Sequence, residues 1–553
     1  MSETNRDRRE FLRAAGIAGV GTATVLGAAS PGKGTCSPAA GASDNGYYNV
    51  VDYGACVDGS NGLATRDAFQ DALDDAALYG GGTVLVPPGA YHIDTSDEGS
   101  LNVHEGCGLI GVGGEIIRDL GGNSPTYRGP LLKVTDTNSQ HPLLNVFRGV
   151  RVSNLSFLWP DQTLDTTIAY PAAISGAKGI GGDELDNNGR ASGRIDNLFF
   201  YNAWKVFDFG VLGSTHQAGG LLIDNIQGFV YSSFLRTFNT GASIFVSNVL
   251  LTVGFHPDHD PDSISAAETH AQDECVLFET DRCDGLKVHN FQAYRCNTFL
   301  KLVGKRVLNL AEFSNVSLDG VPRIMHSVGD IFADNVNPRT GVNNCLFSNC
   351  TFRCAADATG SGAANALELT YERNEQEPQI PSGRRHNLTF ANCVFRGAMR
   401  SFLYIDAIPS AVHSGLEYLR FIGCHFTEWG ATRDTDALPS GKNIAALDVN
   451  DPELNVEIQK CTFLGVDSDL DDPHRMQGVR VADFKTAKVS GCSFYNCDKP
   501  IVVFDGGKLM VTNNVTNDTG AAFSLALGST GPVEYLVTDN LFDKLAGLSG
   551  QHP

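Results

Sequence analysis

One short frame recurs along the second half of the chain with the same residue class at the same place: Phe347-Ser-Asn-Cys350-Thr-Phe352, Phe390-Ala-Asn-Cys393-Val-Phe395, Phe421-Ile-Gly-Cys424-His-Phe426, Ile458-Gln-Lys-Cys461-Thr-Phe463 and Val489-Ser-Gly-Cys492-Ser-Phe494. Upstream the corresponding slot reads as asparagine, at Asn154, Asn197, Asn225, Asn248, Asn290 and Asn315, and it returns as asparagine at Asn514 and Asn540. The slots are separated by about twenty to about forty-three residues, each unit holding short alternating strands and a turn, as in a solenoid. Val, Ile, Leu and Phe in alternation make the coils β rather than α. A chain of 553 residues exceeds what one compact core supports, and a repeat array resolves that. In a parallel β-helix a turn asparagine can bond to the coils above and below, and a small apolar thiol can fill the same interior niche. On this reading the ladder is structural, and Asn154 and Asn315, both in glycosylation sequons, are expected to be buried.

Composition narrows the partners. The 41 Lys and Arg against 63 Asp and Glu give a formal charge of -22 and a pI near 5.0, which argues against a broad basic face for nucleic acid or anionic membranes. At the N-terminus, Asp7-Arg8-Arg9-Glu10-Phe11-Leu12-Arg13 before the weakly apolar run Ala14 to Ala29 resembles a twin-arginine export signal. That run is too short and glycine-rich for a transmembrane span. The expected organisation is a signal and cleavage region over 1–35, a linker over 36–46 and a single β-helix domain over 47–553, exported from the cytoplasm already folded. Export of a folded chain suits the 14 cysteines, whose ladder positions predict free buried thiols instead of a disulfide framework. No Cys-x-x-Cys spacing suggests metal.

The start of the mature chain adds a cap. Tyr48-Asn-Val-Val-Asp-Tyr-Gly-Ala55 reads as a strand entering a turn. Thr65 can then cap a short helix from Arg66 to about Tyr79, with Ala68, Phe69, Ala72, Leu73, Ala76 and Ala77 as its apolar stripe. Gly80-Gly81-Gly82 ends the helix, Thr83 to Val86 begins a strand, and Pro87-Pro88-Gly89-Ala90-Tyr91 turns into the next. The stretch from Asn49 to Ile93 resembles the opening module of the pectate-lyase-3 superfamily, the rhamnogalacturonase or epimerase-like proteins. That resemblance implies an all-β, right-handed parallel β-helix with an N-terminal capping helix and action on, or attachment to, polysaccharide; it fixes no reaction. Gly62-Leu63-Ala64 replaces the aspartates many members carry before the helix. The Asn-Thr-Asp, Asp-Asp, Gly-His-Gly and Arg-Ile-Lys motifs of polygalacturonases are not recognisable, so no catalytic residue is carried over.

The site must come from the repeat itself. Counting eleven residues on from each ladder asparagine reaches Asp165, Asp208, Arg236, His259, Lys301 and His326, all ionisable. In Val206-Phe207-Asp208-Phe209 and Phe299-Leu300-Lys301-Leu302 strand alternation turns the charged residue outward. Coils about 4.8 Å apart would make these a column spaced like the substituents of a bound glycan. Solvent-facing strand positions are also simply polar, and that reading stands beside the functional one.

The densest polar cluster is the loop Phe255-His256-Pro257-Asp258-His259-Asp260-Pro261-Asp262-Ser263. It lacks the glycine and glutamate of an EF-hand, which leaves calcium in another geometry, a solvated acidic loop or a catalytic insertion as its roles. Glycoside hydrolysis would use two carboxyls from Asp208, Asp258 and Asp260 with His259 beside them and would require no cofactor. Elimination on a uronate would use Arg236, Lys301 or calcium to neutralise the sugar carboxylate and His259 or His326 as base. The sequence reading favours a hydrolase, with substrate held by Arg236, Lys301 and His326; a polysaccharide lyase comes second, and a non-catalytic adhesive β-helix is the alternative outside enzymes.

Overall fold

The computed structural model describes residues 46–546 apart from 118–125, 136–139, 177–190, 210–217, 257–265, 329–340, 355–364, 373–386, 407–411, 430–444, 466–476, 518–524, 528–531 and several gaps of one to three residues. By contacts the chain divides into 1–37 and 38–553, and every described residue belongs to the second unit. The expected export signal lies outside the described residues, as does all of the linker but Gly46.

The second unit is a parallel β-helix. Val150–Leu158 pairs in parallel with Gly193–Phe209, which pairs with Leu221–Thr237, then Ile244–Leu251, Leu286–Tyr294 and Glu312–Asp319. The stacking continues through Cys345–Ser348, Asn387–Ala391, Tyr418–Ile422, Asn455–Gln459, Phe484–Ser490 and Gly506–Thr512 to Pro532–Thr538. Antiparallel pairing is confined, among the described residues, to Glu115–Ile117 with Thr126–Arg128 and Asn365–Glu372 with Val412–His413.

Strand register corrects the ladder by one residue. Ser314 pairs with Ser348 and Ser317 with Thr351, so Asn315 stands over Asn349 and Val316 over Cys350. The turn position is left-handed in coil after coil, at Asn154, Asn197, Asn225, Asn248, Asn290, Asn315, Asn349 and Asn392, and then at Gly423, Lys460, Gly491, Asn513 and Asp539. Asparagine tolerates that region and glycine adopts it freely. The turn amides bond to one another, Asn197 to Asn154 at 3.0 Å, Asn225 to Asn197 at 2.7 Å and Asn315 to Asn290 at 3.3 Å. They line the outside of the turn: Asn154 is half-buried and Asn315 exposed, contrary to the expected burial of both sequon side chains. A second close approach requires Gly111, where an added Cβ would stand 1.8 Å from the Asn154 carbonyl oxygen.

The cysteines occupy the neighbouring inward row, continuing Leu155, Leu198, Ile226, Val249, Phe291 and Val316. Cys350, Cys393, Cys424, Cys461 and Cys492 are buried free thiols, and each donates to a carbonyl of the preceding coil, as Cys424 Sγ does to Phe390 O at 3.4 Å. Burial pushes the nearby Cys354 thiol up to about 12. Asn514 and Asn540 belong to this row and not to the turn; Asn514 accepts from the Cys492 N–H at 2.9 Å and Asn540 from the Asn514 N–H at 2.9 Å. Both aromatic positions of the frame form stacks: Phe347 on Phe390 at 4.8 Å, Phe390 on Phe421 at 5.1 Å, and Phe395, Phe426, Phe463 and Phe494 in sequence at 4.8–4.9 Å. An aromatic pair in this geometry adds ~1 kcal/mol to the burial of its area.

The capping helix, α1, runs Gly62–Leu78 and starts earlier than expected because Asn61, not Thr65, is its cap, accepting from the Ala64 N–H at 3.2 Å. Thr65 lies in the first turn, where its hydroxyl accepts from the Cys56 N–H. Ala68, Phe69, Ala72, Leu73 and Ala76 are fully buried, and Ala77 partly, as the stripe requires. They pack α1 over the strands Tyr47–Asn49, Thr83–Val86, Gly89–Ile93 and Leu101–Val103.

Candidate active site

Outward residues of one strand row fall into register over successive coils. Asp208 pairs with Arg236, Arg236 with Glu279, Glu279 with Lys301, Lys301 with His326, and His326 with Glu368. The row continues to Tyr404, Asp448 and Arg480 and then to Val502, Ala526 and Ala546. Before Asp208 it holds Ser175, Asn145 and Asn102. Each charged position follows two inward apolar residues, as in Phe234-Leu235-Arg236, Leu277-Phe278-Glu279 and Ile324-Met325-His326, all of whose apolar members are buried. The local motif apolar-apolar-polar-apolar or hydroxyl is what turns this one side chain out.

The structure therefore brings together Asp208, Arg236, Lys301 and His326, and two slots of the row are held by residues that the count of eleven does not reach. Asp165 is replaced in the row by Ser175, because the turn after Trp159 lengthens before Ala172–Gly176. The slot after Arg236 is held by Glu279, since a second helix, α2 (Ala266–Glu274), precedes the strand Val276–Thr280. Asp258, His259 and Asp260 themselves lie outside the described residues, and with them the carboxylates for which calcium binding was one of three roles. Among the described residues no group of three or more His, Cys, Asp and Glu side chains is arranged to hold a metal ion. Glu279, Glu368, Asp448 and Arg480 were missed by the count, although Val276-Leu277-Phe278-Glu279 carries the same local motif.

The early part of the column is an ion cluster. Arg236 lies 3.5 Å from Asp208 and 3.3 Å from Glu279, all three about a quarter exposed, and its guanidinium covers the Phe238 ring at 4.9 Å. Lys205, earlier on the Asp208 strand, feels all three charges: burial, then Arg236, push its ammonium below the usual lysine range against the opposing pull of Asp208 and Glu279. Lys301 is half-buried and forms no ion pair with a described residue. Further along, Arg480 donates to the buried Asp448 at 2.6 Å. Of the three tryptophans, Trp159 and Trp429 are core, while the partly buried Trp204 stacks between Tyr231 at 6.2 Å and His270 of α2 at 5.0 Å.

A row of alternating charge along a parallel β-helix defines the class of protein to compare. No family model matches the chain, so the resemblance of its opening module is not carried by a family match. Mannuronan C5-epimerase AlgE6 of Azotobacter vinelandii is 42% identical over 69 residues, 12% of this chain and 8% of the relative. Alginate lyase 7 of the same organism is 40% identical over 74 residues, 13% of this chain and 8% of the relative. The chain thus matches less than a tenth of the length of these curated relatives. Among solved structures, the tailspike of E. coli bacteriophage HK620 in complex with a hexasaccharide is 9% identical, covering 89% of this chain and 78% of that one with a TM-score of 0.48. The pre-mature bacteriophage phi29 gene product 12 is 11% identical, covering 87% and 57% with a TM-score of 0.43. At such scores the β-helix assignment stands on this chain's own strand register.

Proposed function

We propose that this chain is a polysaccharide-acting enzyme that works on a polyuronate, with Lys301 neutralising a sugar carboxylate and His326 removing the C5 proton of the same residue. The observation that carries the reading is the pairing of Lys301 with His326 on adjacent coils of the outward row. Strands about 4.8 Å apart put a cation and an imidazole close enough for one to meet the carboxylate and the other the C5–H of the same uronate. A neutralised carboxylate makes that proton acidic enough for an imidazole base. Hydrolysis, the reaction favoured by the sequence, needs two carboxyls free to take separate roles at the scissile bond; in the column Asp208 and Glu279 are both engaged by Arg236, at 3.5 and 3.3 Å. The names of the relatives, which refer to mannuronan and alginate, support a uronate substrate. An extracytoplasmic site of action, resting on Arg8 and Arg9, belongs to the same proposal, and Arg8→Lys with Arg9→Lys should retain the protein in the cytoplasm.

The test is incubation with polymannuronate, polygalacturonate and a neutral glucan in heavy water. The expected result is deuterium at C5 of a uronate where the proton is returned from solvent, or the unsaturated-uronate chromophore where the glycosidic oxygen at C4 leaves and the C4=C5 double bond forms. New reducing ends without either signal would select hydrolysis. Binding without any chemistry would select adhesion.

A further inference from the structure

We infer that Arg323 is a specificity-determining contact for a second carboxylate, so that the preferred target is a uronate whose neighbour in the polymer is also a uronate. The inference rests on the proposed chemistry at Lys301 and His326 and adds to it a requirement on the adjacent sugar. Arg323 opens the strand that carries His326, and it pairs with Thr298 as His326 pairs with Lys301. The four residues mark a rectangle on two neighbouring coils, about 4.8 Å across and about 10 Å along the strands. Phe299, Leu300, Ile324 and Met325 between them are buried, and so is Thr298. Lys301, Arg323 and His326, each partly exposed, are the corners that reach solvent.

Arg323 is a cation without a counter-ion. Arg236 and Arg480, elsewhere on the same sheet face, each hold a carboxylate. Among the described residues Arg323 has one polar partner, the Asn297 side-chain oxygen, which accepts from Nη1 at 3.4 Å, and its Nε is buried without one. A partly buried guanidinium that nothing neutralises is costly to keep, and an arriving anion supplies what the fold leaves out. Two further bonds fix the support. Asn297 Oδ1 also accepts from the Thr298 hydroxyl at 2.7 Å, and Asn297 Nδ2 donates to the Gln272 carbonyl of α2 at 3.0 Å. The guanidinium is thereby set before a ligand arrives. It is turned toward Asn297, on the side of Thr298 away from Lys301, and the two cations stand about 11 Å apart across the diagonal of the rectangle. They therefore meet carboxylates of different sugars and not one carboxylate together.

The experiment compares kcat/KM on a homopolymeric uronate and on a polymer in which the uronate alternates with a neutral sugar, for wild type, Arg323→Met and Arg323→Lys, with melting temperatures as the check on folding. The preference for the homopolymer should fall about tenfold in Arg323→Met, the scale of one charge-assisted hydrogen bond. Arg323→Lys should recover part of it, and in wild type it should decline as salt is raised. An unchanged preference in a folded Arg323→Met, or an equal loss on both polymers, would overturn the second contact and leave the proposed chemistry standing. A wild type that neither binds nor transforms any uronate would overturn both. If Arg323→Met does not fold, the salt dependence of the wild-type preference decides alone, and a flat profile counts against the contact.

Discussion

Two rows run side by side through the same coils, and they obey different rules. The inward row passes from Leu155 through Phe291 and Val316 to the cysteines as apolar groups of different size, and turns polar only at Asn514 and Asn540. The outward row passes from the neutral Asn102, Asn145 and Ser175 to the ionisable Asp208, Arg236, Glu279, Lys301 and His326, and turns apolar at Val502 and Ala526. Hydrogen bonding and spacing are common to both. The difference teaches that the repeat fixes position only, and that ionisable side chains gather in one stretch of the outward row.

The contrast can be broken at its strongest point by truncating the interior. Phe421 stacks on Phe390 at 5.1 Å with nearly parallel rings and meets Phe426 at 5.5 Å, so Phe421→Ala should destabilise by about 3–5 kcal/mol in denaturant unfolding. His326→Gln sharpens the other side: turnover on a uronate should fall at least about a hundredfold, with the melting temperature nearly unchanged because an outward strand residue supports little of the core. A kinetic loss matched by a stability loss would assign His326 to the scaffold instead.

Smaller effects follow from the tolerance of the inward row. Cys424→Val puts into that row the residue already present at Val249 and Val316, and should cost less than about 1.5 kcal/mol by denaturant midpoint. The smallest effect belongs to an exposed pair. Arg396 donates to Glu428 at 2.8 Å, and that hydrogen bond holds the Glu428 carboxyl below its ordinary range. Its stabilisation is therefore present above the pKa of an unfolded glutamate and is lost as pH falls through the lowered folded value. The difference in melting temperature between wild type and Glu428→Gln should be small near neutrality and vanish in acid.

Much of this was legible because the strand period and the turn are local. The β-helix, the free ladder thiols, the apolar stripe of α1 and the register of Asp208, Arg236, Lys301 and His326 all follow from short patterns. The one-residue displacement of cysteine from asparagine was hidden because Asn349-Cys350 and Asn315-Val316 align only when the left-handed turn residue, not the conspicuous side chain, is taken as the reference. Glu279 escaped because a fixed count cannot cross an inserted helix, whereas the local motif can. Thr65 misled because Asn61, adopting a left-handed backbone, reaches the helix N-terminus first.

The position of α1 bears on how the chain comes into being. Synthesis delivers the helix-covered end before any other coil, and that end already has a closed apolar surface on one side and unsatisfied strand edges on the other. Each later coil meets a finished template as it emerges and needs contact with its predecessor alone. The array can therefore grow in step with the ribosome, without waiting for distant sequence, so that the longest-range organisation in the molecule is assembled from nearest-neighbour events.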